Sequence, residues 1–513
     1  MRPHSDLWER LRRDTTLSKH KGFQFPEVFP APSRFRNPIG KYRLDRSSDC
    51  IACGKCVEVC PYGVHVIKRG HVLVKHHYRC IGPDCPTPCY EECPVQALSL
   101  KRNPTFDAMG DFRWTPDLLV STWHMAETGD VPPGGLEYKT GGSDGGFDKL
   151  RLIYPPRETV TDTLHLPDGE VDVGVELNRR NDNAHKIRIE VPFYGGGMSY
   201  GSISITTMLS RIKAATALGT FCCTGEGGYP DELKPYDDHV ITQVATGLFG
   251  VREETIQRVK IVEFKYAQGA KPGLGGHLLG DKVTPGVARM REAVVGYPLF
   301  SPFPFHSVYS VEDHKKHVDW IKAMNPRALV SVKVSTPTDV DMVAVGSYYA
   351  GAHIIHLDGS YGGTGAAPDI AKKNIAMPIE YAIPKVHRFL QDEGVRDKMT
   401  VIASGGIRTP HDMVKIIALG ADGICTGTAD LVALECIRCH NCESGRGCAR
   451  GIATTDEELM QLIDLEWGTQ RVINLFLAWK KELIRILKRL GMRSLRELVG
   501  RTDCLVHLDY MKS

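Results

Sequence analysis

With 513 residues, 64 Lys and Arg against 61 Asp and Glu, and a formal net charge of +3, the chain has room for more than one hydrophobic core and no charge excess of the kind that binds nucleic acid. No run reaches the ~18 uninterrupted apolar residues that a membrane span needs, and the N-terminus lacks the apolar centre of an export signal, so no membrane span and a cytoplasmic protein are expected. Sixteen cysteines without such a signal point to a reducing compartment, where thiolates remain available to metal.

Residues 1–40 are charged and Pro-containing and read as an arm. Residues 41–100 carry eight cysteines, packed between Cys50 and Cys93 in two runs that each end in Cys-Pro. The first run, Cys50, Cys53, Cys56 and Cys60-Pro61, has the C-x2-C-x2-C-x3-C-P spacing in which three thiolates close round one iron–sulfur cube and the fourth leaves for another. The second run, Cys80, Cys85, Cys89 and Cys93-Pro94, is looser after Cys80. Crossing the fourth ligands assigns Cys50, Cys53, Cys56 and Cys93 to one [4Fe–4S] cluster and Cys80, Cys85, Cys89 and Cys60 to the other. Zinc would want two separated ligand pairs, and a disulfide framework belongs to small secreted domains. This stretch resembles a bacterial-type two-cluster ferredoxin, a small α+β domain that carries single electrons.

Residues 101–184 read as a linker and barrel entry. The part up to about residue 150 is rich in Gly, Pro and Asp (Val131-Pro-Pro-Gly-Gly, Gly141-Gly-Ser-Asp-Gly-Gly) and is expected to run over a surface. From 185 to 470, short β-branched runs alternate with helical-period segments: Arg188-Ile-Glu-Val, Val240-Ile-Thr-Gln-Val, Val259-Lys-Ile-Val-Glu-Phe, Ala328-Leu-Val-Ser-Val-Lys-Val, Ala352-His-Ile-Ile-His-Leu, Thr400-Val-Ile-Ala-Ser and Gly423-Ile-Cys-Thr. So many buried strands separated by helices predict an α/β fold, a (β/α)8 TIM barrel. Residues 471–513 form a C-terminal helical segment in which Val472, Leu475, Phe476, Trp479 and Leu483 recur at helical spacing, expected to dock as an amphipathic helix.

Two Gly-rich strand ends late in the barrel, Ser404-Gly405-Gly406 and Thr426-Gly427-Thr428, lie one βα unit apart. Glycines let backbone N–H groups approach a phosphate, and barrels commonly hold one at the loops after strands seven and eight. Beside electron-carrying clusters, that phosphate is read as belonging to FMN. No G-x-G-x-x-G opens a strand–helix unit, so no dinucleotide site is expected. A further thiol set, Cys436, Cys439, Cys442 and Cys448, predicts a third cluster, while Cys222, Cys223, Cys425 and Cys504 are expected to be packing residues.

Met198-Ser-Tyr-Gly-Ser-Ile-Ser, Gly225-Glu226-Gly-Gly, Gln243-Val-Ala-Thr-Gly, Gln268-Gly-Ala-Lys271-Pro-Gly, Ser331-Val-Lys333, Gly359-Ser-Tyr-Gly-Gly-Thr-Gly-Ala and Gly451-Ile-Ala-Thr follow one another in an order similar to that of the FMN-binding synthase domain of glutamate synthase, across residues 185–505. The ferredoxin module fused in front of the barrel is an arrangement similar to that of the archaeal-type or stand-alone large subunit. The resemblance implies that FMN reduces 2-iminoglutarate, formed from 2-oxoglutarate and ammonia, to L-glutamate. Met198 and Ser199 would line the flavin, Gln243 would bond its ring, Lys333 would lie near N1, and Gly405, Gly406, Gly427 and Thr428 would hold the phosphate. Gln268 and Lys271, with Glu226 nearby, would face the 2-oxo acid. Relatives carry a three-cysteine [3Fe–4S] site before Gly-Ile-Ala-Thr, whereas four thiols here leave [3Fe–4S] and [4Fe–4S] both open.

With no glutaminase domain or dinucleotide fingerprint in the sequence, the resemblance implies a glutaminase subunit and an electron donor, either ferredoxin or an NAD(P)H-oxidising flavoprotein subunit, in a hetero-oligomer. The segment His356-Leu-Asp358-Gly-Ser-Tyr361 replaces the family's usual Ser-Gly-His-Asp. That departure leaves room for another 2-oxo acid, for methylamine and glutamate, or for an electron-transfer subunit whose barrel has lost its substrate.

Overall fold

The computed structural model of the chain describes residues 23–34, 39–132, 146–273, 275–302, 305–363, 367, 370–371 and 374–510. The first 22 residues of the expected arm, most of the Gly-rich stretch before residue 146 and the end of the Gly359–Ala366 motif lie outside the described residues. Eight parallel strands close into a barrel in chain order: Phe193–Gly195, Cys222–Cys223, Val240–Ala245, Ile261–Lys265, Leu329–Val334, Ile354–Asp358, Thr400–Ser404 and Gly423–Thr426. Closure comes from the first strand, which pairs with the eighth through Tyr194↔Cys425 and with the second through Gly195↔Cys222. The middle strands are buried along their whole length, which is why they read as continuous β-branched runs.

One expected barrel strand is not in the barrel. Arg188–Ile189 pairs antiparallel with Val175–Glu176 instead, and the Thr400 hydroxyl, at the start of the seventh strand, donates to the Glu176 and Leu177 carbonyls. This hairpin therefore sits at the amino ends of the strands, and Pro192, which has no N–H to give a ladder, separates it from the first strand, Phe193–Gly195.

The C-terminal helix runs Leu465–Arg489, with Asp464 accepting from the Trp467 N–H as its N-cap and Lys488 and Arg489 in its last turn. It begins six residues before the expected segment because that cap, rather than the apolar stripe, sets the start. Trp479 and Phe476 are buried against Phe193 of the first strand. The same helix packs on helices Ile205–Ala217 and Pro116–Thr128. After it the chain is no longer helical throughout, since Leu505–His507 forms a strand against Leu150–Leu152.

The supposed surface linker is also partly core. Thr115 caps helix Pro116–Thr128, which buries Leu118, Leu119, Trp123 and Ala126, and Gly129 ends it at φ 69°. Those apolar residues recur every three to four positions, a helical signal that the Gly-rich stretch beyond them obscured. In the cysteine-rich domain, strand Tyr42–Arg46 pairs with Leu98–Arg102 and His65–Lys68 with His71–Val74; Leu44, Val64, Val72 and Leu98 form its small core. No described helix is long and apolar enough to cross a membrane.

Candidate active site

A cleft of about 1570 Å³, counted to its open mouth, lies at the carboxyl ends of the barrel strands. Met198, Ser199, Glu226, Gln243, Gln268, Lys271, Lys333, Gly405, Gly406, Gly427 and Thr428 all line it, so every flavin and substrate residue expected from the sequence reaches one place. Gly405 and Gly406 adopt φ 97° and 84°, a turn that L side chains resist, which explains the Gly-Gly pair after the seventh strand. The lining also contains Cys436 and Cys442 from the third cysteine set.

Beneath this cleft lies a buried polar chain that sequence reasoning did not find. Glu263, on the fourth strand, accepts from Gln243 Nε2 at 2.7 Å, Ser331 Oγ at 3.0 Å and His356 Nδ1 at 3.1 Å. His356 Nε2 meets Ser404 Oγ at 2.8 Å, and Ser404 donates to Asp358 Oδ1 at 2.6 Å. Asp358 also accepts from the Gly269 N–H and stands 3.8 Å from Lys333 Nζ. His356 thus bridges Glu263 and the Ser404 hydroxyl, whose one proton goes to Asp358.

Burial opposes the charges of Glu263, Asp358 and Lys333, yet opposite charges outweigh it. His356 and Lys333 hold the Glu263 carboxyl at about 2. Lys333 and His356 likewise hold Asp358 below the usual carboxylate range, and Asp358 and Glu263 keep the Lys333 ammonium well above the usual lysine value. Lys333 is thus a fixed cation at the barrel mouth, held by partners on neighbouring strands.

The cleft carries further cations. Lys265 Nζ donates to Glu226 Oε1 at 2.7 Å. Burial, reinforced by Lys265 and opposed by Glu226, pushes the Lys271 ammonium down to about 8. Arg291, not singled out from the sequence, is only 2% exposed and donates to Ser199 Oγ at 2.9 Å, leaving Nε and Nη1 without acceptors. A site with Lys271 and an unsatisfied arginine fork is built for an anion.

The eight N-terminal cysteines divide between two clefts. Cys60, Cys80, Cys85 and Cys89 line one; Cys50, Cys53, Cys56 and Cys93 line the other. These are the crossed sets. The Val64 N–H donates to Cys60 Sγ at 3.4 Å and the Ala97 N–H to Cys93 Sγ at 3.3 Å, the same four-residue step at both departing ligands. Arg46 donates to Cys50 Sγ at 2.9 Å and lowers that thiol. None of the sixteen cysteines is in a disulfide. Among the described residues no three His, Cys, Asp or Glu side chains converge on a single-ion site. In the third set Cys436, Cys439, Cys442 and Cys448 follow helix Thr428–Ala433 in a loop where Glu435, Arg438 and His440 have positive φ. Cys222, Cys223, Cys425 and Cys504 are buried.

The conserved region of glutamate synthase matches residues 148–493 and a 4Fe-4S binding domain matches residues 46–64. The archaeal-type glutamate synthase (NADPH) of Thermotoga maritima is 37% identical over 477 residues, covering 89% of this chain and 92% of that one. The archaeal glutamate synthase (NADPH) of Methanocaldococcus jannaschii is 35% identical over 494 residues, 91% of this chain and 94% of that one. A solved mutant flavocytochrome b2 with benzoylformate superposes at a TM-score of 0.43 and 14% identity, over 70% of this chain and 76% of that one. The family region spans the barrel and nearly the whole chain aligns with its relatives: the chain belongs to the glutamate synthase family, an oxidoreductase of that type with a 4Fe-4S binding domain ahead of its barrel.

Proposed function

We propose that this chain is a synthase subunit that converts 2-oxoglutarate and ammonia to L-glutamate, with two [4Fe–4S] clusters in the N-terminal domain and a third, [3Fe–4S] or [4Fe–4S], at Cys436, Cys439, Cys442 and Cys448. The observation that carries this reading is the single cleft gathering all the expected flavin and substrate residues with Cys436 and Cys442 in its wall. The donor set fits FMN: a fixed cation at Lys333, the Gln243 amide, and the Gly405–Gly406 loop beside Gly427 and Thr428. When bound, FMN supplies the hydride for the imine and the clusters supply its electrons.

The chain's own residues position the substrate and govern charge. Lys271 and Arg291 offer cations to the carboxylates of the 2-oxo acid, while Lys265 and Glu226 hold each other and leave Gln268 at the cleft wall. Lys333 would face the ring system, with its charge fixed by Asp358 and Glu263. Ammonia would come from a glutaminase subunit and electrons from ferredoxin or an NAD(P)H-oxidising flavoprotein subunit, in a hetero-oligomer.

The reading is tested by anaerobic assay of the purified, cofactor-loaded chain. L-Glutamate is expected from 2-oxoglutarate, free ammonia and reduced ferredoxin, and not from glutamine with NADPH alone; adding the two missing subunits should restore the second reaction. Robust activity with glutamine and NADPH would overturn the division of labour. Failure of 2-oxoglutarate plus ammonia to reoxidise the reduced chain would favour another 2-oxo acid, methylamine and glutamate, or a purely electron-carrying barrel.

Two further outcomes follow from the site. Because the Lys271 ammonium has been pushed down to about 8, its charge is present below that pH and lost above it. The KM for 2-oxoglutarate should climb up to ~10-fold per pH unit above pH ~8, and Lys271→Arg, which stays charged, should flatten the rise. A pH-independent KM in the native protein would remove Lys271 from the anion site. For the clusters, Cys93→Ala should damage the one held by Cys50, Cys53 and Cys56 and spare the one beside Cys80, a split that the two cleft linings support. EPR showing the reverse loss would undo the crossed assignment.

A further inference from the structure

Arg113 lies in the segment between the cysteine-rich domain and the barrel, and its guanidinium is sealed from solvent. The residue is 5% exposed, and none of Nε, Nη1 and Nη2 has a hydrogen-bond acceptor. The Tyr361 ring covers one face, with its centre 3.3 Å from Cζ. The edge presses on the loop after the seventh barrel strand, where a Cβ added to Gly406 would stand 2.9 Å from Nη2. Both Tyr361 and Gly406 belong to the cleft wall.

The surrounding charges leave this cation poorly matched. Arg408 is already neutralised by Asp148 at 2.7 Å and Asp412 at 3.0 Å. The nearest remaining acid is Glu380, whose two carboxylate oxygens also lack hydrogen bonds and whose carboxyl is pushed up by burial. A buried guanidinium without acceptors is costly unless an anion arrives, and its planar fork of donors suits phosphate better than any other common anion except carboxylate. The backbone holding Arg113 is itself anchored to the barrel. The Gly110 N–H donates to the Ile437 carbonyl at 3.0 Å, Asp111 accepts from Arg438 Nη2 at 2.8 Å, and the Arg113 carbonyl accepts from Arg408 Nη1 at 2.9 Å.

We propose that Arg113 is a phosphate-recognition residue: the segment joining the two domains delivers its guanidinium to the Gly405–Gly406 loop to meet the dianionic phosphate of FMN. Flavin retention then depends on a residue outside the barrel, on the same segment that leads to the clusters. This rests on the FMN reading above and deepens it.

The test compares FMN with riboflavin, which lacks the phosphate, in fluorescence titrations of the flavin-stripped full-length chain. Arg113→Met should raise the FMN Kd by about 30-fold, the size of a charge-assisted hydrogen bond, and change the riboflavin Kd by less than ~3-fold. Equal losses for both flavins, or an unchanged FMN Kd, would overturn the proposal. Should Arg113→Met fail to fold, Arg113→Lys keeps the charge without the fork and should weaken FMN ~3- to 10-fold with riboflavin unmoved; no change in the FMN-to-riboflavin ratio would be equally fatal. A native chain that binds no flavin at all would instead sink the FMN reading itself.

Discussion

Lys333→Met is expected to lower turnover of the loaded enzyme by about 10²- to 10³-fold, the usual loss when a preorganised charge is removed from a water-poor site. Lys333 is 8% exposed at the end of the fifth strand, and the charges of Asp358 and Glu263 outweigh burial to keep it protonated at any working pH. A cation held this firmly needs no reorganisation when negative charge builds on a neighbouring ring, and a methionine of similar length offers none of that field. Lys333→Arg should recover part of the activity. The potential of the bound flavin gives a second readout: without Lys333 the reduced, anionic form loses its counter-charge and the potential should fall. Turnover within ~10-fold of native together with an unchanged potential would show that Lys333 only packs the barrel mouth.

Glu263→Leu should be among the most destabilising single changes in the chain. Glu263 is 1% exposed and gathers donors from Gln243, Ser331 and His356, three different strands. Its removal leaves those donors unpaired and His356 and Lys333 with Asp358 as the only acid of the chain, a loss of about 3–5 kcal/mol for a broken buried pair. Glu263→Gln, which keeps the acceptor oxygen, should cost less. The effect has a pH signature. The folded carboxyl sits at about 2, below its ordinary 4.5, so its contribution is complete above that ordinary value and is lost as pH falls towards 2. The stability gap between native and Glu263→Leu, measured by urea unfolding, should therefore be constant near neutrality and close below pH ~4.5. A gap that does not narrow in acid would mean that packing, not charge, holds Glu263 in place.

The sequence by itself determined what is local in chemistry. Ligands of one inorganic core must reach it from a short loop, so the spacing of Cys50, Cys53 and Cys56 carries its meaning without any fold, and the 4Fe-4S binding domain matches there. Strands buried on both faces must be apolar and β-branched, so six of the eight barrel strands are legible as runs. The second strand, Cys222–Cys223, has two residues and no pattern to read, and Arg188–Ile189 has a strand's composition but pairs outside the barrel, with Val175–Glu176.

Only the tertiary structure decided which polar residues meet. Glu263 and His356 are 93 positions apart, and His356 and Ser404 another 48; each looks alone like an ordinary residue in an apolar strand. The barrel turns side chains from its fourth, sixth and seventh strands into one interior, where the low dielectric makes each unpaired group costly and so favours their joining into one chain. Arg113 shows the same limit. Nothing near it in sequence marks it as a partner of Gly406, and its significance comes from what surrounds the folded guanidinium: an aromatic face, a glycine loop and no acceptor.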